Sequence, residues 1–169
     1  MKAKRNEARP AARAGGRKLQ LMMGTRHDPY QARRKSAGHS VCPVCRLVYE
    51  NGRWQQGNAP EGAPSEICPA CHRMRDRFPA GYVTIEGPFA YEHRAEILRT
   101  ARNFAERMQA EHPLERIMAV EEAGEKLEIT TTDIHLAQGI GRALYHAYHG
   151  SLVYSFSESE YQLRVTWTC

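Results

Sequence analysis

Residues 41–73 read VCPVCRLVYENGRWQQGNAPEGAPSEICPACHR, and two pairs of cysteines decide how that stretch folds. Cys42 and Cys45 form one Cys-x-x-Cys pair and Cys68 and Cys71 form another, with 22 residues between them. Two residues between thiols place both sulfurs on one side of a tight turn. Two such turns complete a tetrahedron around a metal at a sulfur distance of about 2.3 Å. The spacing therefore predicts one structural zinc ion held by Cys42, Cys45, Cys68 and Cys71, with no coordination position left for a substrate. So short a segment with little apolar content folds as it binds its metal. Asn51-Gly52 stands between Tyr49 and Trp54, and an Asn-Gly pair suits the positive φ angles of a type I′ turn, which predicts a hairpin after the first knuckle. Residues 56–65, rich in Gly, Pro, Asn and Ser, read as the connecting loop. The expectation over residues 41–78 is a zinc ribbon.

Three other readings of these cysteines are weaker. Cys68-Pro69-Ala70-Cys71-His72 has the form of a haem-attachment motif, but that chemistry goes with export and leaves Cys42 and Cys45 idle. A thioredoxin-type pair follows a strand in a βαβ unit, and no such unit precedes either pair. His39 and His72 lie close enough in sequence to substitute as ligands, yet four cysteines already satisfy a tetrahedral metal. Cys169 has no partner nearby and reads as a free thiol.

Charge divides the chain around this module. Residues 1–40 hold eleven Lys/Arg against Glu7 and Asp28, a net of +9; residues 41–78 carry +1; residues 79–169 carry −5. A basic, Ala- and Gly-rich segment without an apolar period reads as a flexible arm over 1–40, and its sign points to a polyanionic partner. No apolar run approaches the roughly 20 residues that span a bilayer, and no secretory signal is visible, so the expected location is cytoplasmic. In that compartment paired cysteines bind metal in preference to forming disulfides.

Beyond Gly81 the pattern becomes that of an α+β domain over 79–169. Tyr82 to Glu86 reads as a strand, and a helix follows from about Tyr91 to Glu111, with Ile97, Ala101, Phe104, Ala105 and Met108 on one face. Ile117 to Val120 and Leu127 to Thr131 read as strands, and Thr132 or Asp133 caps a second helix that runs to His149 and stops at Gly150. Two alternating strands close the domain, with Leu152, Tyr154 and Phe156 in one and Leu163, Val165 and Trp167 in the other. The order β-α-β-β-α-β plus an additional C-terminal strand predicts a ferredoxin-like antiparallel sheet with two helices on one face. Gly139 and Gly141 inside the second helix each cost about 1 kcal/mol against Ala, which close packing would offset.

Nothing in the chain points to an enzyme. It has no nucleophile elbow, phosphate loop or zinc-protease helix. His135, His146 and His149 read as polar-face histidines, and Glu121, Glu122, Glu125 and Glu128 as a solvated acidic turn.

From Ile129 to Trp167 the sequence resembles the segment after the zinc knuckles in the archaeal and eukaryotic large-ribosomal-subunit export adaptor family, named after nonsense-mediated decay. The matching positions are Thr130, Thr131, His135, Leu136, Ala137, Ile140, Gly141, Ala143, Leu144, Ala147, Gly150, Arg164, Val165 and Trp167. Residues 28–169 also resemble bacterial zinc-ribbon proteins of unknown function. The resemblance implies zinc-dependent docking on the large ribosomal subunit. Export is not carried over, because the family has more cysteine pairs than the two seen here, and its later domains and export signals have no counterpart.

Zinc knuckles beside basic residues commonly grip RNA phosphates, with Arg as a bidentate donor. The candidate RNA-contacting residues are Arg33, Arg34 and Lys35 in the arm, and Arg46, Arg53, Arg73, Arg75 and Arg77 in or just after the knuckles. Trp54 and Tyr49 either stack on bases or cover the ribbon core. The expected function is RNA binding in association with the ribosome. The alternative is a protein-interaction module or transcription regulator whose acidic domain docks a protein.

Overall fold

The structure is a computed structural model, and it describes residues 28–31 and 38–169. Arg33, Arg34, Lys35 and most of the basic arm lie outside the described residues.

The cysteine module comes first. Strands β1 (Ser40–Val41), β2 (Val48–Glu50) and β3 (Arg53–Gln55) form a small antiparallel sheet in the order β1-β2-β3. The turn expected at Asn51-Gly52 joins β2 to β3, with φ values of 51° and 84° at those two residues. Helix α1 (Pro69–Asp76) starts where its sequence allows: Cys68 is extended at the N-cap and its sulfur accepts from the Cys71 N–H. Pro69 takes the first helical position, where a missing N–H costs nothing. Arg77, left-handed at φ 51°, ends the helix.

The second unit is a five-stranded sheet, with β4 (Gly81–Glu86), β5 (Ile117–Ala123), β6 (Lys126–Thr131), β7 (Ser151–Ser157) and β8 (Gln162–Thr168) in the order β5-β6-β4-β8-β7. Alternation decides its faces. Val83, Ile85, Leu127, Ile129, Leu163, Val165 and Trp167 are buried, and they share a core with Ile97 and Ala101 of α3 (Arg94–Glu111) and with Ile140 and Leu144 of α4 (Ile134–Tyr148). Among the described residues there are four helices, the remaining one being α2 (Pro88–Glu92).

Three expectations need correction. The sheet is mixed, because β4 and β8 pair in parallel with Val83 opposite Val165. The last strand turns back from β7 and inserts beside β4: its apolar set is fully buried and takes the centre, while half-exposed β7 is left at the edge. The long helix expected from Tyr91 is two helices with a break at His93, whose φ of −105° and ψ of 20° are not helical. Residues 28–31 are not a free arm. Tyr30 stacks on Phe78 and donates its hydroxyl to Asp76 at 3.1 Å, so this piece is pinned to α1 and the turn after it.

The second long helix, α4, is as its sequence suggests. Asp133 caps it by accepting from the His135 N–H at 2.6 Å. A Cβ on Gly141 would lie 2.6 Å from Val165 in the sheet, and one on Gly139 would lie 2.6 Å from the Phe104 ring of α3. The two glycines therefore serve different contacts, one helix to sheet and the other helix to helix. Val165 is fully buried beside β4, whereas Phe104 is only partly buried against the core. Gly141→Ala should lose about 1–2 kcal/mol net, overpacking outweighing the gain in helix propensity. Gly139→Ala should cost less, and urea melts of the two variants compare them directly.

Candidate metal centre

The two knuckles converge. The sulfurs of Cys42, Cys45, Cys68 and Cys71 all lie within 4.8 Å of one another, and those of Cys45 and Cys68 are 3.6 Å apart. Sulfurs bound at about 2.3 Å to a tetrahedral metal are separated by roughly 3.8 Å, so the donor set fits one ion. Among the described residues this is the only group of three or more His, Cys, Asp or Glu side chains so placed. All the cysteines are free thiols, so no disulfide competes.

Local backbone chemistry builds the site. The Cys42 N–H donates to Leu47 O at 2.8 Å and the Arg46 N–H to Cys42 O at 2.9 Å, closing the first knuckle, with Arg46 left-handed at φ 64°. The second is tied to it by Glu66 N–H to Val41 O at 2.9 Å. Backbone N–H groups then aim at sulfur: Cys68 N–H at Cys42 Sγ and Cys71 N–H at Cys68 Sγ, each at 3.4 Å. Burial pushes the Cys42 thiol up, but the N–H groups of Cys68, Cys45 and Val44 outweigh it and hold the thiol at about 6. Burial and neighbouring thiolates push Cys68 and Cys71 upward. Four thiols packed this closely ionise together only when a cation shares the space.

A cationic group approaches from the other unit. Arg116, just before β5, places Nη1 3.5 Å from Cys71 Sγ. Its burial opposes the charge, but the sulfurs of Cys45, Cys68 and Cys71 more than offset that and hold the guanidinium protonated. The side chain is well fixed: Nε donates to Pro113 O at 2.8 Å, and the Arg116 N–H donates to Thr132 Oγ1 at 2.8 Å. Leu114 packs on the cluster formed by Cys42, Leu47, Trp54 and Cys68. The module and the sheet have separate cores, yet they touch at the metal site. No signal in the sequence marks Arg116, because its partner is 45 residues away.

The expected RNA-contacting residues divide. Arg46, Arg53, Arg75 and Arg77 are exposed. Arg73 is not: it is 0% exposed, with Nη2 2.6 Å from Asp28 Oδ1, Nη1 donating to Phe78 O, and the guanidinium 4.3 Å from the Tyr30 ring. A guanidinium held this way cannot reach a phosphate, so Arg73 leaves the candidate surface. Trp54 is corrected as well, since its ring is buried at 8% exposure in the module core and meets Tyr49 edge-on. His39 pairs with Glu50 at 2.8 Å and His72 with Asp76 at 3.4 Å, so neither histidine joins the sulfur cluster. Cys169 is a free thiol, and it is not isolated: its sulfur lies 3.6 Å from Tyr148 O.

A cleft of about 790 Å³ lies where the units meet, lined among others by Tyr30, Arg53, Trp54, Arg75, Glu115 and Asp133. Burial, and then Asp133, push the Glu115 carboxyl up to about 7. No helix among the described residues is long and apolar enough to cross a membrane. No family model, curated protein or solved structure matches the chain.

Replacing Cys68 by Ser should abolish metal retention, read as metal per chain after gel filtration. Arg116→Ala should keep the metal but weaken it by about 10–100-fold in chelator competition, as removal of a group supporting the ligands typically does.

Proposed function

We propose that the chain is a zinc-stabilised RNA-binding protein that acts at the ribosome and has no catalytic role. The observation that carries this reading is the placement of Arg46, Arg53, Arg75 and Arg77, all exposed, on the same small module as the four cysteines. Arginines on so small a rigid frame act as bidentate phosphate donors at low entropic cost. The +9 carried by residues 1–40 adds to that field, while the −5 of residues 79–169 repels a polyanion from the other end. Zinc is the metal proposed, because four thiolates in a closed tetrahedral set suit an ion without redox chemistry. In this reading residues 41–78 are a zinc ribbon. The sheet domain is a ferredoxin-like unit whose last position is taken by a hairpin strand. The resemblance of Ile129 to Trp167 to the ribosomal export adaptors adds the ribosome as the source of RNA.

The test is RNA affinity across a salt series. Replacing Arg46, Arg53, Arg75 and Arg77 by Ala should weaken binding and flatten its salt slope by close to one unit for each phosphate no longer neutralised. Deleting residues 1–27, which leaves Tyr30 and the Asp28–Arg73 pair in place, should act in the same direction, and Arg73→Ala should act through loss of fold alone. If the four-arginine variant and the deletion both keep parental affinity and slope, the protein-interaction alternative replaces RNA binding.

A further inference from the structure

The five-stranded sheet treats its two edges differently. Edge strand β5 carries the devices that keep a sheet from pairing with another chain: a bulge between Ile117 and Ala119, then exposed Glu121 and Glu122. Edge strand β7 carries none of them. Its seven residues, Ser151-Leu152-Val153-Tyr154-Ser155-Phe156-Ser157, contain no charge, no proline and no glycine, and they pair with β8 in unbroken register. Val153 is 59% exposed on the sheet face away from the helices. Leu152, Tyr154 and Phe156 are half-buried on the helix side. An edge this long, with no charge in the strand itself, offers a row of outward N–H and C=O groups; Arg142 of α4 acts on the Tyr154 hydroxyl from the helix side.

The order of residues also suits one particular neighbour. When β7 lies antiparallel to a second copy of itself about Tyr154, Leu152 faces Phe156, Val153 faces Ser155, Ser151 faces Ser157 and Tyr154 faces its own counterpart. Apolar residues meet apolar ones on the helix side, and on the open side exposed Val153 meets a serine. The flanking acids do not oppose each other either, since Glu158 falls opposite Gly150 and Glu160 opposite Tyr148. Directly opposed side chains are the unit of strand recognition, and this set is self-complementary.

We propose that β7 is a dimerisation edge, joining two copies of this chain through antiparallel β7–β7 pairing into one ten-stranded sheet. Each dimer then carries two metal modules, one per chain.

Sedimentation equilibrium of the full chain tests this. The parent should sediment at twice its 19.2 kDa chain mass at micromolar concentration. Val153→Lys with Ser155→Lys sets two like-charge pairs across the axis and should raise the dimer dissociation constant on the order of 100-fold. Both positions are exposed, so the double variant should keep the parental circular dichroism and melting profile. The double Glu variant at the same positions should be equally monomeric, and mixing the Lys and Glu variants should restore the dimer. A monomeric parent overturns the proposal, whether or not a foreign peptide binds the edge. So does a double Lys variant that dimerises as tightly as the parent, and so does a charge-swapped mixture that stays monomeric.

Discussion

Four sulfur atoms gathered within 4.8 Å of one another are the constraint on which the first half of the structure depends. The module has only three short strands and an eight-residue helix, too little to bury a stable core alone. Its few apolar groups, Leu47, Trp54 and Ala70, pack against the cysteines themselves. A metal held by the four sulfurs would do the work that a hydrophobic core does in the second unit.

The module is fixed to its surroundings by charge. Arg116 brings a cation to Cys71 from the sheet domain, and Arg73 is ion-paired with Asp28 from before the module. A buried ion pair of this kind adds little net stability, but removing one partner costs about 3–5 kcal/mol. Both contacts bind the module on flanks where, among the described residues, no strand pairing joins it to its neighbours.

Much of this was legible in the sequence because it is local. The cysteine spacing announces the sulfur cluster, Asn51-Gly52 its hairpin and Asp133 the cap of α4. The alternation Leu127, Ile129, Thr131 marks a strand buried on one face. What escaped is long-range. Arg73 looks like any other knuckle arginine until Asp28, 45 residues earlier, is placed beside it. Trp54 reads equally as a stacking platform or a core residue until the size of the module core is known. The position of β8 followed from neither propensity nor periodicity. Both terminal strands alternate, and only the deeper burial of Leu163, Val165 and Trp167 selects which one sits beside β4.

The central claim is that all four cysteines hold one metal ion as thiolates in a closed site. X-ray absorption at the zinc edge of the purified chain addresses it most directly. The account predicts a single shell of four sulfurs at about 2.3 Å, with no nitrogen or oxygen neighbour. A mixed shell with histidine or water, or a chain without zinc in which these cysteines form disulfides, would contradict it.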